Sequence, residues 1–290
     1  MNILVAGATG AVGRLLVPLL LEEGHQVTGV SRTPEGAERV RQQGASAVRA
    51  DAFDRDGLRQ VMAATVPDAV IHQLTALSDA DGETTNRLRR EGTRNLVDAA
   101  RSAGVERIIA QSISWAYVPG KGPADETESL DLGATGPRGA MVEGIRALEE
   151  TVAEMETGVA LRYGILYGPG TWYAPGGAVA AALAGDPGAR LLANLESDLS
   201  VTSFVHVADA ARATVAALDW PSGPVNIVDD DPAEGRQWLP VLAAALGVPA
   251  PGARTGRQRG ARGASNERAR SRGWEPEHAT WRRGFAAQGV

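Results

Sequence analysis

The stretch that most constrains this chain is its beginning. The apolar run Asn2-Ile-Leu-Val-Ala6 leads straight into Gly7-Ala-Thr-Gly10-Ala-Val-Gly13, and Val12, Leu15, Leu16, Leu19 and Leu20 then recur at helical spacing. A strand that meets glycines and turns at once into an amphipathic helix is a strand–turn–helix unit. Glycines there permit a tight turn and a close approach of backbone to a ligand. The helix start offers unpaired N–H groups and the positive end of the peptide dipole, which together suit a pyrophosphate. The spacing is G-x-x-G-x-x-G rather than the commoner G-x-G-x-x-G, so the motif carries weight through its context more than its letters.

The rest of the first half repeats the pattern. Strands are expected at Asn2–Ala6, Gln26–Val30, Ala47–Ala50, Ala69–Gln73 and Arg107–Gln111, with a helical run through Leu96, Val97, Ala99, Ala100 and Ala103. A long helix around Met141–Met155 precedes a strand at Val159–Leu166, and Phe204-Val-His-Val207 also reads as strand. Strands alternating with helices, and apolar on both faces, predict a parallel sheet covered on both sides. The expected fold class is α/β: a Rossmann-type doubly wound parallel sheet with a smaller C-terminal substrate-binding lobe. Residues 1–168, with part of 200–230, are assigned to the first domain, and 169–200 with 231–290 to the lobe. Residues 172–200, rich in Gly, Ala and Pro, are expected to form a lid. The Arg- and Gly-rich stretch 252–264 reads as a solvated loop.

Composition closes several routes. There is no cysteine, which excludes disulfides, thiolate nucleophiles and cysteine-based zinc sites. His25, His72, His206 and His278 have no close metal-ligand spacing, so no metal is expected. A net charge of -6 argues against nucleic acid or anionic lipid as partner. No apolar stretch is long enough to span a bilayer and no basic segment precedes the first strand, so a cytoplasmic monomer or homodimer acting on a small molecule is expected.

The second strand ends in Val30-Ser31-Arg32-Thr33. A chain that binds NAD commonly places an acid there for the ribose 2′-hydroxyl. A hydroxyl and a guanidinium instead suit a 2′-phosphate, so the expected cofactor is NADP(H).

These motifs have company further along. They include Ala50-Asp51-Ala52, His72-Gln73-Leu74-Thr75-Ala76, Glu91-Gly-Thr-Arg-Asn-Leu96, Leu161-Arg-Tyr-Gly-Ile-Leu-Tyr-Gly-Pro-Gly170, Ser203-Phe-Val-His-Val-Ala-Asp209 and Asn266 through Trp274. Over nearly its whole length the chain resembles the extended and atypical short-chain dehydrogenase/reductases, the NAD-dependent epimerase/dehydratase group. The resemblance implies dinucleotide contacts from Gly7, Thr9, Gly10, Ala11, Val12, Gly13, Ser31, Arg32, Asp51, Ala52, Leu74, Thr75, Gln111, Tyr163 and Ile165.

It also implies a catalytic hydroxyl, a tyrosine acid and a lysine four residues on, and here the chain departs from the pattern. Those positions fall on Ile113, Met141 and Ile145. Tyr117-Val-Pro-Gly-Lys121 spells Y-x-x-x-K, but Pro119-Gly120 breaks a helix, so the two side chains cannot share a helical face. Lys121 is the only lysine, so no shift of alignment restores the pair. Ser112, Ser114 and Tyr163 are the candidate catalytic groups; His206 is a further proton donor by position, weighed against a structural role in its strand. Trp115, Trp172 and Tyr173 are candidates to pack on an aromatic substrate, weighed against ordinary core packing.

A ketone flanked by a phenol carries its own proton donor, and a reductase for it need not supply an acid. In these features together the chain resembles aromatic-polyketide tailoring ketoreductases, angucyclinone ketoreductases in particular, which implies a role in antibiotic biosynthesis. Two alternatives stay open: a non-catalytic NADP-sensing regulator on the same fold, and a nucleotide-sugar epimerase or dehydratase, which lacks its base here.

Overall fold

The computed structural model describes residues 1–77, 80–189 and 195–287. In chain order the elements are β1 (Asn2–Ala6), α1 (Gly13–Glu22), β2 (Gln26–Ser31), α2 (Pro34–Gln42), β3 (Ser46–Arg49), α3 (Arg55–Thr65), β4 (Ala69–His72), α4 (Gly82–Arg87) and α5 (Thr93–Ser102). They continue as β5 (Arg107–Ile113), α6 (Gly136–Val152), β6 (Thr157–Tyr163), β7 (Ile165–Tyr167), α7 (Ala178–Leu183), β8 (Val201–Thr202), β9 (Phe204–His206) and α8 (Val207–Ala216). The last are β10 (Gly223–Ile227), β11 (Ala233–Glu234), α9 (Gly235–Ala245), α10 (Glu267–Ser271) and α11 (Trp281–Ala286).

Seven strands form a parallel sheet in the order β10-β6-β5-β4-β1-β2-β3. Val5 of β1 lies between Gly29 of β2 and Ile71 of β4. The chain therefore winds outward from β1 through β2 to β3, then crosses back to β4 on the other side of β1. The crevice beyond the carboxyl ends of β1 and β4 is the topological switch point, where open α/β sheets bind ligands.

The chain divides into two compact units. The first comprises 1–112, 135–161 and 211–224. One of its cores packs Leu4, Val70 and Ile108 of the strands against Leu58 and Met62 of α3, Leu96 and Ala100 of α5, and Leu148 and Val152 of α6, all buried. Each of these Leu, Val, Ile and Met side chains stabilises the fold by ~1.5–3 kcal/mol relative to exposure. Thr33, Asp54 and Asp81 cap α2, α3 and α4 by accepting from Gly36, Gly57 and Thr84 N–H, which is why these helices begin where they do.

The second unit comprises 113–134, 162–210 and 225–290. Residues 113–134 and 162–168, expected in the first domain, cluster here instead. For 113–134 the reason is a pair of arginine clamps from the 252–264 stretch. Arg262 donates to Gly122 O at 2.7 Å and Lys121 O at 2.9 Å and pairs with Glu128, while Arg259 forks onto Asp131 at 2.7 and 2.8 Å. Residues 252–259 of that stretch are exposed, in keeping with a solvated loop, whereas Arg262 is not: its side chain is 6% exposed and fastens the loop's end. The unit's core is aromatic: Phe204 sits edge-on to Tyr167, Tyr173, Trp238 and Phe285.

The expected strand Val159–Leu166 is two strands. At Gly164 the chain changes partners: Gly164 N–H donates to Ile227 O, and Ile165 N–H to Ser203 O. A Cβ on Gly164 would lie 2.8 Å from Ser203 O, so only glycine passes there. Among the described residues no helix is long and apolar enough to cross a membrane.

Candidate functional site

The glycine turn sits at the switch point within the first unit. Gly7 has φ +95°, and a Cβ on it would come within 2.7 Å of the Gln73 carbonyl beyond β4. A Cβ on Gly13 would lie 2.2 Å from Gly7 O. These two glycines hold the turn against β4 and bring α1 down onto it. Gly10 differs: it is exposed, and a Cβ there would meet only Gly7 O, at 3.4 Å. The open side of Gly10 is the space a side chain would fill and a diphosphate can use. Thr9 is exposed beside it, and Ala11 is half-buried. Val12 begins α1 with no side-chain cap, and no acid stands in the helix's first turn. The turn therefore fits a dinucleotide pyrophosphate, held by backbone N–H and the helix end.

Next to it, Ser31 is buried and its hydroxyl donates to Thr33 O at 3.1 Å. It shapes the turn into α2, whereas Arg32 is exposed, with no ion pair among the described residues. Asp51 accepts from Phe53 N–H at 2.9 Å, closing a turn that carries buried Ala52, whose carbonyl accepts from Asn95. Gln111 is half-buried on β5.

The loop carrying Leu74 and Thr75 is fixed by a histidine that sequence reading gave no role. His72 Nδ1 accepts from Leu74 N–H at 3.2 Å, so its proton lies on Nε2, 2.9 Å from Thr93 Oγ1. Burial drives its pKa down to about 4, keeping it neutral in that arrangement. The signal available in the sequence was the position itself: a polar residue ending an otherwise apolar strand.

Where the family places its acid and lysine, α6 presents half-buried Met141 and fully buried Ile145. Ser112 is 1% exposed and donates to Glu149 Oε1, one helical turn beyond Ile145, at 2.7 Å. Its hydroxyl is thus engaged with α6.

In the second unit, Ile113 is buried, and Ser114 is buried with its N–H donating to Tyr163 O at 2.9 Å. This aligns the ends of two strand segments and leaves Tyr163 1% exposed, followed by half-buried Ile165. Tyr117 and Lys121 form no dyad. The Tyr117 hydroxyl donates to Asn226 Oδ1 at 2.7 Å and accepts from Arg162 at 2.8 Å, while Lys121 is exposed. Burial pushes the Tyr117 pKa up to about 12. Trp115 and Trp172 are half-buried, but the Tyr173 ring is 4% exposed and committed to the aromatic core. Tyr173 is therefore a core residue and not the substrate contact expected of it. Residues 190–194 of the expected lid lie outside the described residues; in the part before them, Val179 is fully buried in the same core.

His206, Asp209 and His278 come together with ligand atoms within 4.8 Å of one another, a grouping their sequence separation hid. Their geometry is that of a fastening. Asp209 accepts from the N–H groups of Glu277 and His278, at 3.0 and 2.9 Å, and from His278 Nδ1. The two imidazoles are stacked at 3.7 Å, 19° from parallel, so their nitrogen lone pairs do not converge as ligands must.

The match to known proteins covers the whole chain. The model of the NAD dependent epimerase/dehydratase family matches residues 3–228. A 3-diazoavenalumate denitrifying reductase from a Streptomyces species is 43% identical over 99% of this chain and 100% of its own length. A UDP-glucose 4-epimerase from Streptomyces lividans is 29% identical over 78% of this chain and 66% of its own. The structure of a Thermus thermophilus UDP-glucose 4-epimerase in complex with NAD superposes with a TM-score of 0.77 at 25% identity, covering 100% of this chain and 98% of that one. With the family model spanning both the glycine turn and the strands that follow it, this chain belongs to the NAD dependent epimerase/dehydratase family.

Proposed function

We propose that the chain is a nicotinamide-dinucleotide-dependent reductase that delivers hydride to an aromatic substrate whose reduction draws no proton from the protein. The observation that carries this reading is the pair Met141 and Ile145 on α6, two side chains that can neither donate nor accept a proton. The dinucleotide, when bound, supplies the hydride. Exposed Arg32, with no ion pair among the described residues, stands beside the turn into α2 and favours NADP(H), because a 2′-phosphate gives its guanidinium a bidentate partner.

The substrate class we infer is an aryl diazo compound in its diazonium form. The 43% identical relative is by name a denitrifying reductase of a diazo compound, and the similarity runs the full length of both chains. The chemistry agrees with α6. The ring carbon gains a C–H bond from hydride, the C–N bond breaks with its electron pair going to nitrogen, and N2 leaves. The dinucleotide is oxidised by two electrons. No alkoxide forms, so no acid is needed.

A hydroxyaryl ketone, such as an angucyclinone of the simocyclinone type, is the second reading. It also spares the protein an acid, since the neighbouring phenol protonates the alkoxide and becomes a phenolate. Trp115 and Trp172 favour it because each is only half-buried, and indole surface suits a fused aromatic polycycle. A sugar epimerase would need a base where Met141 stands.

The test is consumption of NADPH, followed at the reduced nicotinamide band, with three substrates: an aryl diazonium, an ortho-hydroxyaryl ketone and its O-methyl ether. We expect turnover with the diazonium, with one N2 released per dinucleotide oxidised. Turnover of the hydroxy ketone alone, lost on methylation, selects the second reading. Dinucleotide binding without turnover of any of them overturns both and leaves a cofactor-sensing protein.

A further inference from the structure

Arg89 is placed unlike the other arginines of its helices. It lies in a π-helical turn, Leu88–Gly92, between α4 and α5. Such turns shift one residue out of the regular helical face and recur at functional sites. The shift brings the Arg89 stem onto α6 at Gly144. A Cβ there would lie 3.4 Å from Arg89 Cδ and 3.0 Å from Asn86 Oδ1, so the missing side chain makes the room that Arg89 and Asn86 fill. Gly144 directly precedes Ile145 and stands one turn after Met141, the two residues on which the proposed reaction depends.

The charge of Arg89 is poorly answered. Nearby, Arg87 pairs with Glu91 at 2.8 Å, Arg94 with Glu154 at 2.6 Å and Arg101 with Glu154 at 3.2 Å. Arg89 donates only to the neutral amide of Asn86, at 3.1 Å, and has no carboxylate partner among the described residues. Yet it is half-buried, and desolvation pulls its pKa down to about 10. A guanidinium presents five N–H donors in a planar fork that matches two coplanar oxygens. A desolvated cation lacking such a partner costs stability, and an arriving anion offsets that cost.

We propose that Arg89 is a substrate-binding residue that holds the carboxylate of an anionic aromatic substrate beside the Met141–Ile145 segment of α6. This rests on the reductase reading and names the charge of its substrate. A carboxylate suits the fork better than a phenolate, which offers one oxygen. The overall charge of -6 makes a local cation the means by which an anionic substrate is retained.

The experiment is calorimetric titration of the protein–NADP+ complex with 4-hydroxycinnamate, 2-naphthoate and their methyl esters, on wild type, Arg89→Met and Arg89→Lys. We expect at least one acid to bind wild type tenfold or more tighter than its ester. Arg89→Met should abolish that preference and Arg89→Lys should keep part of it. The methionine variant, relieved of an unanswered charge, should melt no lower than wild type. Equal binding of acids and esters by wild type, or a preference that survives in Arg89→Met, overturns the proposal. So does a change in oligomeric mass in Arg89→Met, which would make a second copy's carboxylate the partner. Binding is read without turnover, so a protein that shows the preference but reduces nothing would sink the reaction and not this residue's role.

Discussion

At the scale of single residues, the glycines of the first turn do two different jobs. Gly7 and Gly13 are demanded by the fold, because backbone atoms already occupy the space of their side chains. Gly10 is not demanded by the fold, because a Cβ there would meet only Gly7 O, at 3.4 Å, which is ordinary contact, and on the proposed function its open side serves the dinucleotide. The two roles separate experimentally. Gly13→Ala should destabilise the protein by ~1–3 kcal/mol through overpacking against Gly7 O. Gly10→Ala should leave the melting temperature within about two degrees of wild type and weaken NADP(H) binding tenfold or more, as titrated by nucleotide fluorescence. Equal loss of affinity and stability in both variants would refute the division. Met141 and Ile145 belong to this scale too: their chemistry is fixed by what their side chains lack.

At the scale of elements, the sequence was most legible where periodicity and glycine spacing act together. β1, the glycine turn and α1 follow from the first residues almost to the boundary. β2, β4 and β5 follow from apolar runs that only a doubly covered sheet can bury, whereas β3, at the sheet edge, is exposed or half-buried throughout. The same residues that ended the legible part also explain it. Gly164 looks like an ordinary strand glycine, and its exchange of partners depends on Ser203 and Ile227, which no local pattern reveals. Tyr173 looks like a ring free to meet substrate, and its burial depends on Phe204 and Trp238. Arg259 and Arg262 look solvated because Asp131 and Glu128, their partners, lie far away in sequence. Of the candidate site, the strand–glycine–helix turn and the apolar Met141 and Ile145 were legible; His72 as a loop anchor and Arg89 as a cation with no carboxylate partner among the described residues were not, since both depend on contacts between elements. The clamp gives a prediction at this scale. Arg262→Met keeps the stem but removes the fork, and should cost on the order of 3 kcal/mol. Hydrogen exchange should quicken across 118–134 and leave β1–β4 unchanged; uniform quickening would contradict a local fastening.

At the scale of the whole molecule, two buried groups pull the dependence of stability on pH in opposite directions. His72, with its folded pKa near 4 against 6.5 when exposed, resists protonation in the folded state. Its contribution is complete above about 6.5 and lost as pH falls toward 4. Asp229 is the reverse. Burial raises its pKa from 3.8 to about 8, despite the N–H groups of Asp231 and Trp281 that it accepts. The folded state holds that proton more tightly than the unfolded chain, so stability falls as pH rises through the interval up to about 8. Below 6.5 the two oppose each other. Between 6.5 and 8, of these two groups, Asp229 alone still changes its proton, and the melting temperature of wild type should fall across that interval. Asp229→Asn, though destabilised by the loss of a carboxylate oxygen, should show no such fall. A wild-type curve that rises from 6.5 to 8 would contradict the assignment.

The central claim is hydride transfer without a protein acid. The most direct measurement is a single turnover of an aryl diazonium carboxylate with NADPH deuterated at the transferring position of the nicotinamide, on wild type and on the double variant Met141→Leu, Ile145→Val. Direct hydride transfer should place deuterium on the ring carbon that lost nitrogen, release N2 in equal amount, and run in the two proteins at rates within about threefold of each other, a difference under ~0.7 kcal/mol in barrier. Product that carries solvent hydrogen at that carbon, or a double variant slowed a hundredfold, would contradict it.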